Sequence, residues 1–230
     1  MLVISTFNIK NDYYKYNIDK TKDIINYLNK NQIDILNLQE VYKKLDKDLK
    51  REVKNNNYRM IGKYRFLSRL ILKPFNESTP IITNKKIVEI KHYKLPHFPS
   101  LLKRIMTKIV INYNDELISI YNTHLDFKYD KVKKKELDKI YRIISKDKNK
   151  IVLTGDFNLK TNKDIFNNFV AKLEKLGIIR IPLDEKTLKQ SMYNRAIDHI
   201  FISKEFKVVD KEVIKTLDIS DHYPLLIKLK

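Results

Sequence analysis

Short apolar runs alternate with amphipathic segments along this chain, which predicts strands interleaved with helices. Residues 2–9 and 33–38 are apolar runs of strand length. Between them, residues 19–30 carry Ile24, Ile25 and Leu28 at helical spacing. A strand, a helix and a second strand in that order predict a β-α-β opening whose two strands lie parallel.

The same pattern continues to the end of the chain. Residues 105–113 and 117–125 alternate like two antiparallel strands joined by a tight turn. Four of the six prolines fall between residues 74 and 99, which predicts loops there and a hairpin over residues 80–90. Helices are also predicted at residues 43–54, 131–145 and 163–176, and strands at residues 151–153, 196–203 and 225–229. We therefore expect one α/β domain over residues 1–230.

The chain carries a strong excess of positive charge. Its 47 lysines and arginines against 28 acidic residues give a net charge of +19 at pH 7. Such a charge attracts polyanions, including nucleic acid, anionic lipid and phosphorylated small molecules. The basic residues are mostly lysine in a glycine-poor chain, as an AT-rich genome also encodes, so part of the charge is expected to be solvated surface. The triple lysine at residues 133–135 is assigned to such a solvated helix face.

Composition excludes several classes of protein. The absence of cysteine excludes a disulfide framework, a thiolate zinc site and a cysteine nucleophile. No apolar run approaches the ~18 residues that a membrane-spanning helix needs. No basic segment followed by an apolar one marks a signal peptide at the start. We therefore expect a cytoplasmic protein, most simply a monomer.

Polar residues recur where the predicted strands end. In five places a short apolar strand runs into a polar or ionisable residue at its C-terminal end, and a sixth polar group precedes the last strand. A single residue of this kind is usually a cap or a turn. Six of them indicate a shared site, because ligands of α/β proteins bind where strand ends meet at one sheet edge. The residues are Asn8, Glu40, His124, Asp156 with Asn158, Asp198, and Asp221 with His222.

In this order the six groups resemble the motifs of the endonuclease/exonuclease/phosphatase superfamily, the DNase I-like metal-dependent phosphoesterases. The motifs are Thr-Phe-Asn8, Leu-Gln-Glu40-Val, Asn-Thr-His124-Leu-Asp, Gly-Asp156-Phe-Asn158, Ile-Asp198-His-Ile-Phe and Ser-Asp221-His222-Tyr-Pro. They run from residue 8 to residue 222 and so span nearly the whole chain. The resemblance implies a four-layered α/β sandwich, in which two mixed sheets pack face to face with helices outside.

The resemblance also implies a metal ion. Mg²⁺ prefers oxygen ligands and needs only one or two carboxylates beside the substrate phosphate, where it acts as a Lewis acid. Glu40 is the expected main ligand, because it ends a buried strand with only Gln39 as a local polar companion. Asn8 supplies a neutral oxygen beside it and Asp221 a further carboxylate. Mn²⁺ is expected to substitute for Mg²⁺.

The remaining motif residues are expected to carry the hydrolysis. By the resemblance, His124 and His222 contact the scissile phosphate, one assisting the attacking water and the other stabilising the oxyanion. Asp156 and Asn158 orient water and donate to a phosphoryl oxygen. Asp198 holds one histidine in its tautomer, and which one is left open. The other histidines, His92, His97 and His199, are expected on the surface or in loops.

Other chemistries fit these residues less well. Glycine occurs only at Gly62, Gly155 and Gly177, which excludes a nucleophile elbow, a Walker loop and a dinucleotide-binding turn. The alternative from another class is a catalytically silent phosphate-binding module on the same fold. The retention of every ionisable motif position argues against it.

The substrate is not determined by the fold, because the superfamily hydrolyses DNA, RNA, phosphoinositides, sphingomyelin and other phosphoesters. The positive charge favours a polyanion, so we predict a nuclease acting on DNA or RNA with little sequence specificity. The alternative is a phosphatase or phosphodiesterase acting on a smaller phosphorylated substrate or a phospholipid. Arg65, Arg69 and Arg104, each near aromatic residues, are candidates for a substrate-binding rim, unless their segments pack inward.

Overall fold

The computed structural model describes residues 1–11, 19–64, 77–100, 103–183, 185–189 and 196–230. The helices in these ranges are α1 (Asp19–Lys30), α2 (Lys43–Asn55), α3 (Asp130–Ile144) and α4 (Asp164–Glu174). The strands are β1 (Leu2–Asn8), β2 (Ile35–Gln39), β3 (Val41–Tyr42), β4 (Arg59–Ile61), β5 (Glu77–Ser78), β6 (Ile81–Thr83), β7 (Ile87–Lys94), β8 (Ile105–Tyr113), β9 (Glu116–His124), β10 (Lys150–Asp156), β11 (Ile178–Arg180), β12 (Asp198–Ser203), β13 (Val208–Val213) and β14 (Leu225–Leu229).

Two mixed sheets form the centre of this described part of the chain. The first has six strands in the order β13-β14-β1-β2-β6-β4. The second also has six, in the order β11-β12-β10-β9-β8-β7, and β3 pairs with β5 alone.

Helices cover the outer face of each sheet. Along β1, Val3 and Phe7 join a core with α1 and α2, whereas Leu2 and Ile4 join the core between the sheets. A third core packs α3 and α4 against the second sheet. Burial on both faces explains why such strands are continuous apolar runs in the sequence. The layers are therefore helix, sheet, sheet and helix, and the four-layered α/β sandwich is confirmed. None of the helices in the described ranges has the length and apolar character needed to cross a bilayer.

Two parallel strand pairs bring four strand ends to one edge of the sandwich. β1 and β2 are parallel, with Asn8 opposite Gln39. β9 and β10 are also parallel, with His124 opposite Asp156. The β-α-β opening and the antiparallel pair β8–β9 are confirmed. The prediction that Asp198 ends a strand is wrong: it begins β12, which runs antiparallel to β10 and so starts at the same edge, opposite Asp156.

The predicted hairpin over residues 80–90 is also wrong. β6 belongs to the first sheet and β7 to the second, so the chain crosses between the sheets instead of turning back. The edge strands β11 and β13 were not predicted. β13 has the sequence VVDKEV and is mostly exposed, and such charged edges lack an apolar pattern.

The triple lysine is only partly solvated. Lys134 and Lys135 are exposed, as predicted, but Lys133 is buried and its Nζ donates to Oδ1 of Asp130 at 2.9 Å. The bond pairs residues three apart on the first turn of α3, so the buried charge has a partner. Assigning Lys133 to a solvated face was therefore wrong.

Gly155 of β10 lies where the sheet leaves no space for a side chain. A Cβ atom there would be 2.0 Å from the carbonyl oxygen of Thr123 on β9, at a φ of 150°. We expect Gly155→Ala to lower the free energy of unfolding by about 3 kcal/mol, because overpacking against rigid backbone forces the strands apart. Denaturant-induced unfolding measures the loss.

Gly177→Ala is the matched control. Its φ is 74°, but the nearest atoms belong to the flexible Lys204 side chain at 3.5 Å. Only the backbone strain of about 1–2 kcal/mol is expected there. Equal losses in the two variants would contradict the crowding between β9 and β10.

Candidate active site

Five of the predicted site residues meet at the shared edge of the two sheets. Asn8, His124 and Asp156 end their strands, Glu40 directly follows β2, and Asp198 begins β12. All are almost fully buried except Glu40, which is half-buried. Buried polar groups need hydrogen-bond partners, and these residues bond largely with one another and their close neighbours.

Asn8 connects two carboxylates. Its Nδ2 donates to Oε1 of Glu40 and to Oδ2 of Asp156, both at 3.0 Å. Its Oδ1 accepts the backbone N–H of Lys10 at 3.0 Å. Glu40 accepts a further backbone N–H, from Asn11, through Oε2 at 2.8 Å. One amide thus holds acids from both sheets side by side.

The two connected carboxylates have raised pKa values. Burial is the largest cause at both residues, and the nearby Glu77 adds to it at Glu40. At Asp156, burial and the negative charge of Asp198 raise the pKa to about 7. The charge of these acids is therefore only partly compensated by the protein.

Glu40 and Asn158 adopt left-handed backbone conformations. Their φ angles are 60° and 50°, a region that residues other than glycine seldom occupy. Such conformations cost about 1–3 kcal/mol and cluster at ligand-binding and catalytic sites. Here they lie just after β2 and just after β10, where the chain must turn sharply at the sheet edge.

Arg104 fixes the tautomer of His124. Its Nη1 lies 2.8 Å from Nδ1 of His124, and a guanidinium can only donate, so Nδ1 accepts. The ring is therefore neutral with its proton on Nε2. That nitrogen lies 3.6 Å from Oδ2 of Asp156 and 3.8 Å from Oε1 of Glu40. His124 thus presents a neutral N–H to the carboxylates.

Asp198 holds His222, which answers the question that the sequence left open. Nδ1 of His222 donates to Oδ2 of Asp198 at 2.8 Å, and its Nε2 lies 3.9 Å from Oδ2 of Asp156. Burial lowers the pKa of His222, but attraction to Asp198 and Asp156 outweighs it and raises the pKa to about 10. His222 is therefore an imidazolium at neutral pH.

The other two predicted residues lie beside this group. The backbone N–H of Asn158 donates to Oδ1 of Asp156 at 2.8 Å, and its Nδ2 donates to the carbonyl of Leu125 at 3.1 Å. The carboxylate of Asp221 lies 3.5 Å from Nζ of Lys10. In the described contacts Asn158 adjoins Asp156, whereas Asp221 faces Lys10 rather than Glu40.

Of the three predicted substrate-binding arginines, Arg104 falls within the described residues. Arg65 and Arg69 lie outside the described residues. Arg104 is only 4% exposed, and its Nη1 also lies 3.4 Å from Oε2 of Glu77. Its guanidinium points inward to His124, and its role in substrate binding stays a prediction.

One of the three remaining histidines was misplaced by the sequence prediction. His199 is buried, with Nε2 3.0 Å from the carbonyl oxygen of Leu159 and its ring centroid 4.3 Å from that of Phe166. His97 lies in a loop as expected, and His92 lies half-buried on β7.

Sequence reasoning missed a polar layer beneath the site. Gln39 donates through Nε2 to Thr6 at 3.0 Å and to Asn122 at 2.7 Å, and Asn37 donates through Nδ2 to Thr154 at 2.8 Å. All five residues are fully or almost fully buried, and the bonds to Asn122 and Thr154 join the two sheets. The available signal was the presence of amide side chains inside apolar strands.

Two groups of side chains have the chemistry of a metal site. In the described part of the chain, Asp156, Asp198 and His222 place one ligand atom each within 4.8 Å of one another. There the imidazolium of His222 already balances carboxylate charge. Glu40 instead offers carboxylate oxygens beside Asn8, and its raised pKa indicates that its charge is only partly compensated. Asn8 would offer Oδ1 after a flip of its amide, since Nδ2 donates to Glu40 and Asp156 in the structure. This second group fits a divalent cation better.

A two-sheet sandwich with acids and histidines at its strand ends is the architecture of the DNase I-like phosphoesterases. The sequence matches the model of the Endonuclease/Exonuclease/phosphatase family over residues 5–222, and the chain belongs to this family. Members of the family are phosphoester hydrolases, so the chain is a phosphoesterase of this superfamily.

Solved structures share the whole fold. A mannosyl-6-phosphatase of Bacteroides thetaiotaomicron is 21% identical, with a TM-score of 0.80 and coverage of 100% of both chains. The human Nocturnin catalytic domain is 16% identical, with a TM-score of 0.79 over 100% of this chain and 94% of that one. ANGEL2, a 2',3'-cyclic phosphatase, is 14% identical, with a TM-score of 0.79 over 99% and 94%. At these identities the likeness concerns the fold. No curated protein sequence gives a significant match.

Proposed function

We propose that the chain is a Mg²⁺-dependent phosphodiesterase, and specifically a nuclease that hydrolyses DNA or RNA with little sequence specificity. One observation carries this proposal: the Nε2 atoms of His124 and His222 lie 3.6 Å and 3.9 Å from the same oxygen, Oδ2 of Asp156. The neutral N–H of His124 and the charged N–H of His222 thus lie together beside Asp156. There they can donate to the oxygens of a phosphoryl group, while Asp156 acts as a base.

Asn8 and Glu40 would hold the Mg²⁺ ion, with Asp221 as a further proposed ligand. Asn8 would offer Oδ1 after a flip of its amide, because its Nδ2 donates to Glu40 and Asp156 in the structure. Their oxygen donors and the uncompensated charge at Glu40 support this choice, and Mn²⁺ accepts the same ligands. When bound, the ion supplies charge neutralisation for the phosphate and the leaving oxygen.

The chain's own residues then divide the remaining chemistry. A carboxyl group with a pKa of about 7 suits Asp156 as the base that takes a proton from the attacking water. His124 donates its Nε2–H to a phosphoryl oxygen, because Arg104 prevents Nδ1 from carrying the proton. His222 holds a charged N–H against the negative charge that develops in the transition state. Asn158 keeps Asp156 in position through its backbone N–H.

The net charge of +19 supports a nucleic-acid substrate, since phosphate contacts dominate the affinity for nucleic acid. The lack of cysteine is consistent with a reducing compartment, and we propose the cytoplasm. A second candidate function is hydrolysis of a smaller phosphorylated substrate. The observation that favours it is the shared fold of the mannosyl-6-phosphatase, which aligns over the whole of both chains.

An assay of plasmid DNA, single-stranded DNA, RNA, mannose 6-phosphate, a phosphoinositide and sphingomyelin tests the proposal. We expect cleavage of nucleic acid with Mg²⁺ and none with EDTA. Binding to duplex should weaken with salt, with a log–log slope of about −0.9 for each phosphate contact. Turnover of mannose 6-phosphate or a lipid without nucleic acid cleavage would favour the second candidate, and activity in EDTA would contradict the metal.

A further inference from the structure

A cationic pocket opens beside Arg104, and none of the described residues assigned to hydrolysis lines it. Its volume is about 460 Å³. Among the described residues that line it, none is acidic. The lining residues used below are Lys63, His92, Lys94, His97, Lys103 and Arg104.

The strands of the second sheet assemble this pocket. Successive residues of β7 face opposite sides of the sheet, so His92 and Lys94 line the pocket while Lys91 and Tyr93 line a cavity elsewhere. Lys94 pairs with Ile105 at the start of β8, and the N–H of Leu95 donates to the carbonyl of Arg104 at 2.9 Å. Strand pairing therefore fixes the cationic residues of β7 next to those that precede β8.

Arg104 joins the pocket to the hydrolytic site. Its Nη1 donates to His124 at 2.8 Å, so the wall of the pocket is one side chain away from the ring that faces Asp156. Glu77 is the acid in described contact with this guanidinium, at 3.4 Å. A group held in the pocket would thus belong to the same ligand as the group held at His124.

The pocket contains polar nitrogen atoms without hydrogen-bond partners and positive charges that repel one another. Arg104 Nε and His97 Nδ1 are buried and, in the described part of the chain, have no hydrogen-bond partner. Burial lowers the pKa of His92, and the positive charge of Lys63 lowers it further. An anion in the pocket would relieve this repulsion.

We propose that the pocket binds a second phosphate group of the substrate, one unit away from the phosphate that is hydrolysed. The inference rests on the proposed phosphodiesterase function and narrows its substrate class to molecules that carry two neighbouring phosphates. The second phosphate belongs either to the next nucleotide of a strand or to a bisphosphorylated small molecule.

Paired substrates test this preference. Thymidine 5'-(p-nitrophenyl phosphate) is compared with the same compound carrying a 3'-phosphate, and mannose 6-phosphate with mannose 1,6-bisphosphate. In one of the two pairs, we expect the wild-type protein to hydrolyse the substrate with two phosphates with a kcat/KM about tenfold higher. A factor of about ten is what one additional hydrogen bond to a charged group contributes. A preference in the nucleotide pair would identify the natural substrate as a nucleic-acid strand. A preference in the sugar pair would identify it as a bisphosphorylated small molecule. The inference is overturned if neither pair shows a preference.

A matched pair of variants locates the effect. Lys94→Ala with Lys103→Ala removes two positive charges from the pocket, and both lysines are exposed, so folding should be retained. Lys139→Ala with Lys146→Ala removes two charges from the second basic cavity, of about 660 Å³, in which Lys108 is already paired with Asp147 at 2.9 Å. The preference should vanish in the first variant and persist in the second. An equal loss of the preference in both double variants would show an effect of net charge alone and would overturn the proposal that this pocket binds the second phosphate.

Binding of inorganic phosphate separates this inference from the proposed function. Imidazole NMR signals of the metal-free protein, assigned by single histidine substitutions, are followed during a phosphate titration. We expect the signals of His92 and His97 to shift and the pKa of His92 to rise, with the response lost in Lys94→Ala/Lys103→Ala. If the protein hydrolyses none of the paired substrates, the proposed function fails while this titration still decides the pocket. Unmoved His92 and His97 signals would overturn it.

Discussion

Replacing either His124 or His222 with alanine is expected to lower the rate of phosphodiester hydrolysis by about 10²–10⁴-fold, the range for a positioned proton donor or acceptor. Both Nε2 atoms lie within 4 Å of Asp156 Oδ2, at 3.6 Å and 3.9 Å. Because they would act in one transition state, the double variant should lose less than the product of the single losses. Substrate binding should change little, since the gain is realised in the transition state.

His199→Ala is the matched control for this experiment. It removes a buried histidine that packs on Phe166, away from the carboxylate group. We expect a lower melting temperature and unchanged turnover of the folded protein. Full turnover by His124→Ala, or strictly multiplicative losses in the double variant, would contradict the joint action of the two histidines.

The pair of His222 and Asp198 also gives a pH dependence of defined sign. The pKa of His222 is raised from 6.5 to about 10 in the folded protein. Its stabilisation is therefore complete below pH 6.5 and is lost as the pH rises through about 10. Asp198→Asn removes the main source of the shift, so denaturant unfolding of this variant should be less sensitive to pH in that window. An unchanged pH dependence would contradict the charged pair.

Glu40→Gln is expected to lower hydrolysis by several orders of magnitude while the fold is retained. The substitution removes a negative charge from the proposed metal site, and excess Mg²⁺ should restore activity only in part. Lost stabilisation of charge in a transition state costs about 3–4 kcal/mol even for one donor. Stability should be equal or higher, because an acid whose pKa burial raises destabilises the fold when ionised.

Glu136→Gln is the control for Glu40→Gln. Glu136 is also buried, its pKa is raised to about 8 mainly by burial, and its Oε2 accepts the backbone N–H of Asp126 at 2.9 Å. It is another buried glutamate of raised pKa, but outside the proposed ligand set. Its Mg²⁺ dependence should match the wild type, whereas its activity also reports the influence of the Glu136 charge on Arg104. A Glu40→Gln enzyme as active as the control at low Mg²⁺ would remove Glu40 from the site.

The spacing of apolar residues was sufficient to predict the strands and helices whose buried residues recur at a regular interval. The β-α-β opening and the pair β8–β9 follow from apolar spacing within each segment, because burial of one strand or helix face is a local property. The spacing of apolar residues did not predict which strands pair with each other. β6 and β7 are adjacent in sequence, yet they belong to different sheets. That residues 1–230 form a single domain stays a prediction.

The residues of the candidate site were predictable as a set, but their partners were not. Polar side chains at strand ends are visible in sequence, and parallel pairing of β1 with β2 and of β9 with β10 brings them together. Glu77, Asn11 and Lys10 contact the site without any such signal, because they lie in segments without a regular apolar pattern. Their place depends on how other segments fold over the sheet edge.

The sequence by itself thus determined the family, because the order of the motifs carries the resemblance, and through the family it predicted the sandwich. It also singled out the acids and histidines of the site, since these follow from residue type and local order. Only the tertiary structure decided that Asp198 holds His222, that Arg104 sets the tautomer of His124 and that Asn8 connects Glu40 to Asp156. The reason is that protonation, tautomer and pKa are properties of contacts. Asn8 and Asp156 are 148 positions apart in the chain, so no local pattern can encode the 3.0 Å bond between them.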